Sequence, residues 1–496
     1  MEAEAPDLQH RLQDDACYLA LKTRDARFDG RFFTGVTSTG IYCRPVCRVR
    51  TPKRENCRFF PHAAQAENAG FRPCLRCRPE LAPHSVTWSI QDASYILAHQ
   101  AARMLDDPEG WGQEAPTVEQ LAARLGISDR HVRRIFEVQF GVSPVQYLQT
   151  RRLLTAKQLL ADTDLPVTQV ALISGYSSLR RFNAAFVEHY SLNPTQLRRE
   201  GAKKTSGGLA IRLGYRPPYD VGAMLEFMRK RSITHVEWVS PEEKSVSRTL
   251  AIESGGERHT GWLTAQFDEA NHLVVLHVSD SLRQVLPVVI HRVRAMLDLD
   301  ADPQAINALL HKSFPKGDGL RVPGTLSGYE LAVRAVLGQQ ITVAAARTLA
   351  QRLVDTFGEP IETPVPQLQR LFPEPAVLAN ASGDALGQLG IVKQRQAAIV
   401  AIASAVARKK LHLHGGTDVA STIEALKELP GIGDWTAQYI AMRALRWPDA
   451  FPAGDIALQK SLGVLDAPNR ARAAEAASQG WKPWRSYAVI RAWATL

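Results

Sequence analysis

The chain has 496 residues, a hydrophobic fraction of 45%, a net charge of +10 and a pI near 9.4. This length predicts several domains, and the basic charge favours a polyanionic partner. We expect no secretory signal at the acidic, polar N-terminus. We expect no membrane helix either, because no apolar run approaches the roughly 20 residues that one needs. These features predict a soluble, cytoplasmic protein.

The first chemical feature along the chain is a group of four cysteines, Cys43, Cys47, Cys74 and Cys77. They form a Cys-x3-Cys pair and a Cys-x2-Cys pair separated by 26 residues, which is the spacing of a four-thiolate Zn²⁺ site. Metal spacing of this kind favours a reducing compartment over a disulfide framework. A zinc thiolate is a nucleophile at neutral pH, and nearby arginines could bring it to a phosphate backbone. The flanking arginines are Arg44, Arg48, Arg50, Arg72, Arg76 and Arg78.

Changes in composition divide the chain into four predicted domains. We expect a multidomain α+β protein, with a flexible linker and main boundary at 201–208, where the sequence is GAKKTSGG. The periodicity turns from mixed to helical, then to alternating, then to helical again. The alternating part, from Leu209 to about Leu299, predicts four strands, with the sequences LAIRLGY, RTLAIES, GWLTAQF and HLVVLHVS. The predicted domains are a small zinc-bound α/β domain at 1–82, an all-α domain at 86–200, an antiparallel β-rich α+β domain at 209–300 and an all-α domain at 301–496.

The first helical segment contains a diverged repeat with an offset of about 50 residues. Each copy predicts a helix, a glycine turn at Gly126 or Gly175, a serine N-cap and a second helix, with Ser128 matched by Ser177. This order is typical of a helix-turn-helix, whose second helix enters the major groove. Plain αα-hairpins with solvated basic faces are the alternative. The candidate DNA-contacting residues are Arg130, His131 and Arg134 in one copy and Arg180, Arg181 and Asn183 in the other.

The stretches GIYCRPVCR and AGFRPCLRCRPE resemble the N-terminal domain of the bacterial Ada family over roughly residues 15–82. The double helix-turn-helix that follows resembles the AraC-type domain that accompanies it. The resemblance implies a methyl phosphotriester sensor with four zinc ligands, in which Cys43 is also the methyl acceptor. A purely structural zinc site is the alternative. Because the family's Pro-Cys-His-Arg motif for O6-methylguanine is absent from the sequence, we do not expect that second activity.

The last segment contains LPGIGDWTAQY at 429–439, and a Pro-Gly-Ile-Gly turn between two helical stretches predicts a helix-hairpin-helix. Its glycines, Gly431 and Gly433, would let backbone N–H groups approach a phosphate at a helix N-terminus. Asp455 follows sixteen residues after the last tyrosine of this stretch. The order of hairpin, helix, loop and aspartate is that of the helix-hairpin-helix DNA glycosylase superfamily.

Further stretches resemble the AlkA-type 3-methyladenine DNA glycosylase II family, from about Leu209 to the end of the sequence. The resemblance implies that Asp455 is catalytic and that Trp435, Tyr439 and Trp493 form the base pocket. A carboxylate stabilises an oxocarbenium-like sugar, and electron-rich aromatic rings stack on a cationic base. The alternative is a structural N-cap aspartate with core tryptophans. The matching stretches are YRPPYD at 215–220, RAVLGQQITVAAA at 334–346 and WKPWRSYAVIRAW at 481–493.

Three positions refine this expectation. Bifunctional members of the superfamily carry a Schiff-base lysine where this chain has Trp435, which predicts a monofunctional enzyme that leaves an abasic site. Ile456 follows the aspartate where the family pattern has a tyrosine, and Gln340 lies at the position of an apolar minor-groove wedge. No C-terminal four-cysteine cluster occurs in the sequence, so no iron–sulfur centre is expected.

The sequence therefore predicts an alkylation sensor, a transcription regulator and a helix-hairpin-helix glycosylase in one chain. One alternative is a transcription activator whose glycosylase half is catalytically inactive. Another is a glycosylase whose zinc domain only adds DNA affinity. The expected cofactor is Zn²⁺, and the expected partners are alkylated and promoter double-stranded DNA and RNA polymerase. We expect no membrane association, and a monomer is the default.

Overall fold

The computed structural model describes residues 5–84, 93–111, 116–201 and 209–496. The chain forms two compact units. The first comprises the residues up to Pro217 with Asp268–Leu276 and Leu299–Asp302. The second comprises Pro218–Phe267, His277–Asp298 and Pro303–Leu496. The predicted linker lies outside the described residues from position 202 to 208, and the predicted domain limits stay a prediction.

The N-terminal part of the first unit is organised by a small sheet with strand order β3-β1-β2-β4. Strand β1 pairs antiparallel with β2 and β3, whereas β2 and β4 are parallel. Because Tyr42 lies opposite Pro73 in the parallel pair, Cys43 at the end of β2 and Cys74 just after β4 lie at the same end of the two strands. The elements are α1 (Ala5–Thr23), β1 (Phe33–Val36), β2 (Ile41–Cys43), β3 (Cys57–Phe60), α2 (Ala63–Asn68) and β4 (Arg72–Pro73).

Seven helices follow in the described residues between 93 and 201, and they contain the predicted tandem helix-turn-helix. Gly126 and Gly175 have φ angles of +69° and +84°, which favour glycine. Ser128 caps the second helix of the first copy, as predicted. In the second copy the cap is Ser178 rather than the predicted Ser177, because this turn is one residue longer. The helices are α3 (Ala93–Asp106), α4 (Val118–Leu125), α5 (Asp129–Phe140), α6 (Pro144–Asp162), α7 (Val167–Ile173), α8 (Leu179–Tyr190) and α9 (Pro194–Gly201).

The predicted strands between 209 and 300 are present, together with a strand and two helices that alternation did not reveal. Strands β6, β7 and β8 form an antiparallel ladder. Buried and less buried residues alternate along β9, as expected for a strand with one covered face. The elements are β5 (Leu209–Gly214), α10 (Val221–Arg231), β6 (Glu237–Ser240), β7 (Ser245–Ser254), β8 (Glu257–Asp268), β9 (Leu273–Val278) and α11 (Leu286–Met296).

The remainder of the second unit is helical, and its centre is α13, which packs against α17 and α19. Nearly every residue of α13 is buried. This arrangement confirms the predicted mixed fold class. No helix among the described residues is long and apolar enough to cross a membrane. The helices are α12 (Pro303–Leu310), α13 (Gly328–Leu337), α14 (Val343–Phe357), α15 (Pro375–Ala379), α16 (Gly383–Gln388), α17 (Lys393–Ala407), α18 (Val419–Lys427), α19 (Asp434–Arg443), α20 (Ile456–Ser461), α21 (Arg470–Ala477) and α22 (Arg485–Trp493).

A buried carboxyl group on α2 connects the small sheet to the helices of the first unit. Glu67 accepts hydrogen bonds from the Tyr42 hydroxyl at 2.9 Å and from the Thr150 hydroxyl on α6 at 2.8 Å. Its carboxylate also lies 3.7 Å from His189 on α8. Burial raises the pKa of Glu67 to about 7, although both hydrogen bonds and Lys157 act to lower it.

The Glu67 pKa predicts a dependence of stability on pH. A carboxyl pKa that is raised in the folded state means that the unfolded chain releases its proton first. The contribution of Glu67 to stability is therefore present below about pH 4.5 and falls as the pH rises towards about 7. Glu67→Gln removes this dependence. We expect the stability of the wild type relative to the variant to fall by about 2–3 kcal/mol between about pH 5 and pH 8.

Thermal unfolding of both proteins across this pH range measures the effect. Glu55→Gln is the matched control, because Glu55 is exposed in the same part of the chain. Parallel pH profiles for the wild type and Glu67→Gln would contradict the prediction.

Candidate functional site

The four predicted zinc ligands converge on one point. Cys43 ends β2 and Cys74 directly follows β4, and Cys47 and Cys77 follow in the two adjoining turns. The four sulfur atoms all lie within 4.8 Å of one another. A tetrahedral Zn²⁺ with bonds of about 2.3 Å places its sulfur ligands about 3.8 Å apart, so a small contraction completes the site. The donor set and its geometry fit zinc.

The electrostatics of the cluster also fit a cation. Four thiols this close must share protons, and a hydrogen bond between two sulfurs favours the thiolate at the acceptor. Hydrogen bonding with Cys47 raises the pKa of Cys43, and hydrogen bonding with Cys43 lowers the pKa of Cys74. A divalent cation that replaces these protons would leave all four sulfurs ionised.

Two of the six flanking arginines have structural roles, which corrects the expectation that all six surround the thiolates as phosphate ligands. Arg44 is buried. Its Nε donates to Asp29 at 2.8 Å, and its backbone N–H donates to the Cys77 sulfur at 3.4 Å. Arg78 donates to Glu80 at 2.8 Å and to Asp162 at 2.6 Å. The arginines left for an external partner are the exposed Arg48, Arg50 and Arg76 and the half-buried Arg72.

The candidate DNA-contacting side chains of the helix-turn-helix segment all lie on α5 and α8, the second helices of the two copies. Both helices bury their opposite faces, through Val132 and Phe136 on α5 and through Phe182 and Phe186 on α8. Their basic faces therefore stay accessible, as groove recognition requires. The exposed candidates are Arg130, Arg134, Arg180 and Arg181, and the half-buried candidates are His131 and Asn183.

In the second unit, α18, a tight turn and α19 form the predicted hairpin. The surrounding protein restricts the residue type at only one of the hairpin's two glycine positions. Gly431 has a φ of +74°, and a side chain there would press on Ala398 and Gln394. Gly433 caps α19 with an extended backbone, and a Cβ atom added there would meet nothing within 4 Å. The protein itself does not require glycine at position 433, so the open space above this helix end is available to an external group.

Beside the hairpin lies a cavity of about 700 Å³ that brings together all four predicted pocket residues. The Trp435 and Tyr439 rings stack with centroids 5.3 Å apart and an interplanar angle of 14°, and the Trp493 ring lies 6.4 Å from that of Tyr439. All four residues are half-buried and line the cavity. The tryptophans are therefore not core residues.

Asp455 is held from two sides at the wall of this cavity. The indole N–H groups of Trp435 and Trp493 each donate to one of its carboxylate oxygens, both at 3.0 Å. The same carboxylate caps α20 by accepting from the backbone N–H of Leu458 at 2.8 Å. Asp455 is thus a helix cap, as the structural alternative predicts, and it is also fixed in one orientation towards the cavity.

The loop between α13 and α14, which carries the predicted wedge, is anchored to the hairpin. The Gln339 side chain donates to the Gly431 carbonyl at 2.9 Å and to the Thr436 hydroxyl at 3.0 Å. Gln340 is exposed and has a φ of +55°, which places it at the tip of the loop. Ile456, beside the aspartate, is also exposed, at 71%. Both positions at which the chain departs from the family pattern therefore face outwards.

The sequence analysis did not find a group of charged residues in the same cavity. They come from α10, β6, β7, the loop before α13, α13, α14 and the end of α19, so no local pattern joins them. Arg443 could have been found, because it follows Tyr439 by one helical turn. The charged residues are Glu226, Lys230, Arg231, Glu237, Arg248, Arg321, Arg334, Arg347 and Arg443.

Family models match four stretches of the chain. They are described as the metal binding domain of Ada (residues 16–80), a helix-turn-helix domain (121–200), the AlkA N-terminal domain (210–327) and an HhH-GPD superfamily base excision DNA repair protein (333–486).

Curated relatives match the whole chain and each half. A probable bifunctional transcriptional activator/DNA repair enzyme AlkA from Mycobacterium tuberculosis is 37% identical, covering 97% of this chain and 96% of the relative. DNA-3-methyladenine glycosylase 2 of Escherichia coli is 34% identical over 57% of this chain and 96% of its own length. A bifunctional transcriptional activator/DNA repair enzyme AdaA from Bacillus subtilis is 32% identical over 38% of this chain and 87% of its own length.

A zinc-binding thiolate cluster, a tandem helix-turn-helix and a helix-hairpin-helix fold with an aspartate in an aromatic cavity define a multidomain DNA repair and regulatory protein. The chain belongs to the family of bifunctional transcriptional activator/DNA repair enzymes that join an Ada-type half to an AlkA-type half.

The thiolate cluster predicts how zinc content responds to mutation. Cys74→Ser removes one ligand, so we expect the purified protein to lose its bound Zn²⁺ to a mild chelator that leaves the wild type loaded. Cys57→Ser is the matched control, because Cys57 is buried outside the cluster. Elemental analysis after chelator treatment measures the difference, and equal zinc content in Cys74→Ser and Cys57→Ser would refute the ligand set.

Proposed function

We propose that the chain is a monofunctional DNA glycosylase for N-alkylated purines joined to a methyl phosphotriester sensor that regulates transcription. The observation that carries the glycosylase half is Asp455, held by two indole donors at the wall of an aromatic cavity beside a helix-hairpin-helix. Such a cavity suits a base that has been flipped out of the duplex. The curated relatives that match this half are named 3-methyladenine glycosylases.

The proposed excision uses the chain's own groups at each step. Trp435 and Tyr439 stack on the flipped base, and their electron-rich rings favour a cationic alkylpurine. The C1′–N bond breaks, and the base leaves with the bonding electron pair and becomes neutral. The fixed carboxylate of Asp455 stabilises the positive charge that develops on the sugar, orients the water whose oxygen bonds to C1′, and takes up the proton that this water releases. With Trp435 in place of a Schiff-base lysine, the abasic strand stays intact.

The proposed sensor reaction takes place at Cys43. Zinc, when bound, keeps the thiolates ionised at neutral pH. The Cys43 sulfur forms a bond to the methyl carbon of a methyl phosphotriester, the O–CH₃ bond breaks, and the phosphate regains its negative charge. The product sulfur is a thioether, so the cluster loses one negative charge and its repulsion of DNA falls. Cys43 is buried and Cys77 is more exposed, so the choice of Cys43 rests on the Ada resemblance.

Two features support the choice of DNA as the partner. The basic faces of α5 and α8 are exposed, and open space lies above the hairpin at Gly433. We further propose RNA polymerase as the protein partner, a monomeric state and a cytoplasmic location, in keeping with relatives named as transcriptional activators.

DNA treated with a radiolabelled methylating agent tests both activities in one reaction. We expect label in two fractions, as free base and as protein-bound methyl. Asp455→Asn should abolish only the free base, and Cys43→Ser only the bound methyl. Asp466→Asn and Cys57→Ser are the matched controls, because Asp466 is exposed and Cys57 lies outside the cluster. Bound methyl without free base would mean a sensor with an inactive glycosylase fold, and the reverse would reduce the zinc domain to a docking role.

The two indole hydrogen bonds to Asp455 predict that losing one of them slows excision without abolishing it. Trp493→Phe keeps an aromatic wall but removes one of the three hydrogen bonds to the Asp455 carboxylate, which is then held less firmly. We expect base release under single-turnover conditions to slow by about tenfold, the effect of one lost hydrogen bond to a charged group. Trp481→Phe is the control, because its indole bonds Ser313 outside the cavity. Equal rates of base release for the two variants would show that the Trp493 hydrogen bond to Asp455 has no role in excision.

A further inference from the structure

The loop between α13 and α14, residues 338–342, lies at the edge of the base cavity. Gly338, Ile341 and Thr342 line the cavity, whereas Gln340 is exposed at the tip of the loop. A base that is flipped into the cavity leaves a gap in the duplex, and an exposed tip beside the cavity is close to that gap. We call residues 338–342 the wedge loop.

The tip of the wedge loop needs support from outside the loop. Gln340 has a φ of +55°, a left-handed conformation that residues other than glycine rarely adopt. The ends of the loop are held locally, because the Gly338 N–H donates to the Arg334 carbonyl at 3.0 Å and the Thr342 hydroxyl caps α14. A strained conformation persists only where the surrounding structure holds it, so contacts with other elements decide where Gln340 lies.

The side chain of Gln339 joins the wedge loop to the hairpin. Its amide donates to the Gly431 carbonyl at 2.9 Å and to the Thr436 hydroxyl at 3.0 Å. Gly431 belongs to the hairpin turn, and Thr436 follows Trp435, the aromatic residue that donates to Asp455. This one side chain therefore links the position of the loop to the aromatic wall of the cavity.

A second bond to the same residue comes from α17. The Arg395 guanidinium donates to the Gln339 carbonyl oxygen. This oxygen belongs to the peptide bond between Gln339 and Gln340, so the hydrogen bond restricts the peptide plane on which the strained φ of Gln340 depends. Because the donor is charged, the bond is stronger than one between two neutral groups.

The start of α17 is itself held against the hairpin. A Cβ atom added at Gly431 would lie 3.3 Å from the Gln394 carbonyl oxygen and 3.3 Å from the Ala398 side chain, so the hairpin turn and α17 are in close contact. The wedge loop, the hairpin turn and the start of α17 thus form a ring of contacts in which each element holds the other two.

We propose that Arg395 is a positioning residue for base excision, which holds the peptide between Gln339 and Gln340 so that the Gln340 side chain can enter the gap left by the flipped base. Gln340 is polar, so little hydrophobic burial would draw it into the base stack, and its placement has to come from the loop. Arg395 is not among the residues that line the cavity, so it acts through the loop. The proposal rests on the proposed glycosylase function and deepens it.

This role separates two kinds of substrate. Filling the gap matters where the damaged base has to leave a paired stack. It matters little where the base has no partner, because flipping then costs less free energy. The test uses the full-length protein and synthetic duplexes with a single 7-methylguanine, opposite either cytosine or an abasic-site analogue. Base release is measured under single-turnover conditions.

The variant Arg395→Met removes the donor and keeps the aliphatic part of the side chain. We expect it to slow release opposite cytosine by about tenfold, the effect of one charged hydrogen bond, and to leave release opposite the abasic-site analogue nearly unchanged. Arg408→Met is the matched control, because Arg408 is exposed just beyond the other end of the same helix. It should match the wild type on both duplexes.

A second measurement asks whether Arg395 acts through Gln340. In a Gln340→Ala background, Arg395→Met should slow release opposite cytosine no further, because the side chain that it positions is already absent.

Equal slowing on both duplexes, no slowing on either, or a full further loss in the Gln340→Ala background overturns the proposal. If Arg395→Met does not fold, Arg395→Gln, which keeps a neutral donor on a shorter side chain, decides by the same comparison. Failure of the glycosylase function itself is seen separately, as no release from either duplex by the wild type.

Discussion

A negatively charged group held in one place inside a partly enclosed site is the feature on which the arrangement of both sites depends. In the second unit this charge is the carboxylate of Asp455, and an unpaired charge there would be unfavourable. The helix α20 and two indole N–H groups, from α19 and α22, hold it in place. The hairpin, the aromatic wall and the C-terminal helix are therefore parts of one arrangement around a single side chain.

In the first unit the charge belongs to four thiolates, and it is held by a cation and by the surrounding backbone. Three neighbouring cations are paired with carboxylates. Arg44 pairs with Asp29, Arg78 with Glu80 and Asp162, and Lys157 with Glu80. Buried pairs contribute little net stability, but removing one partner is strongly destabilising, so such pairs specify one arrangement. Two of these pairs join the segment after the second cysteine pair to α6, so the zinc-binding part and the helical part of this unit share one polar interface.

Arginines have different partners and different roles at the thiolate cluster and in the base cavity. Around the thiolates, the arginines that remain exposed are free to meet phosphates, and the buried ones fix the loops. In the base cavity, Arg248 and Arg334 are neutralised by carboxylates, and Arg443 is bound to backbone carbonyls. Counting arginines near a motif therefore indicates nothing about their role until their partners are known.

The sequence by itself determined the chemistry whose residues lie close together in the chain. The cysteine pairs, the helix-turn-helix turns and the hairpin glycines each need a short, fixed spacing, and local geometry enforces that spacing. Alternation predicted four strands, but it missed β6, α10 and α11, whose patterns are short or mixed. Only the tertiary structure decided that Trp493 binds Asp455 across 38 residues, that Arg44 is buried, that Arg78 pairs with Glu80 and Asp162, and that Arg231 reaches the cavity. These contacts join residues far apart in sequence, and they arise from how helices and strands pack, which no local period encodes.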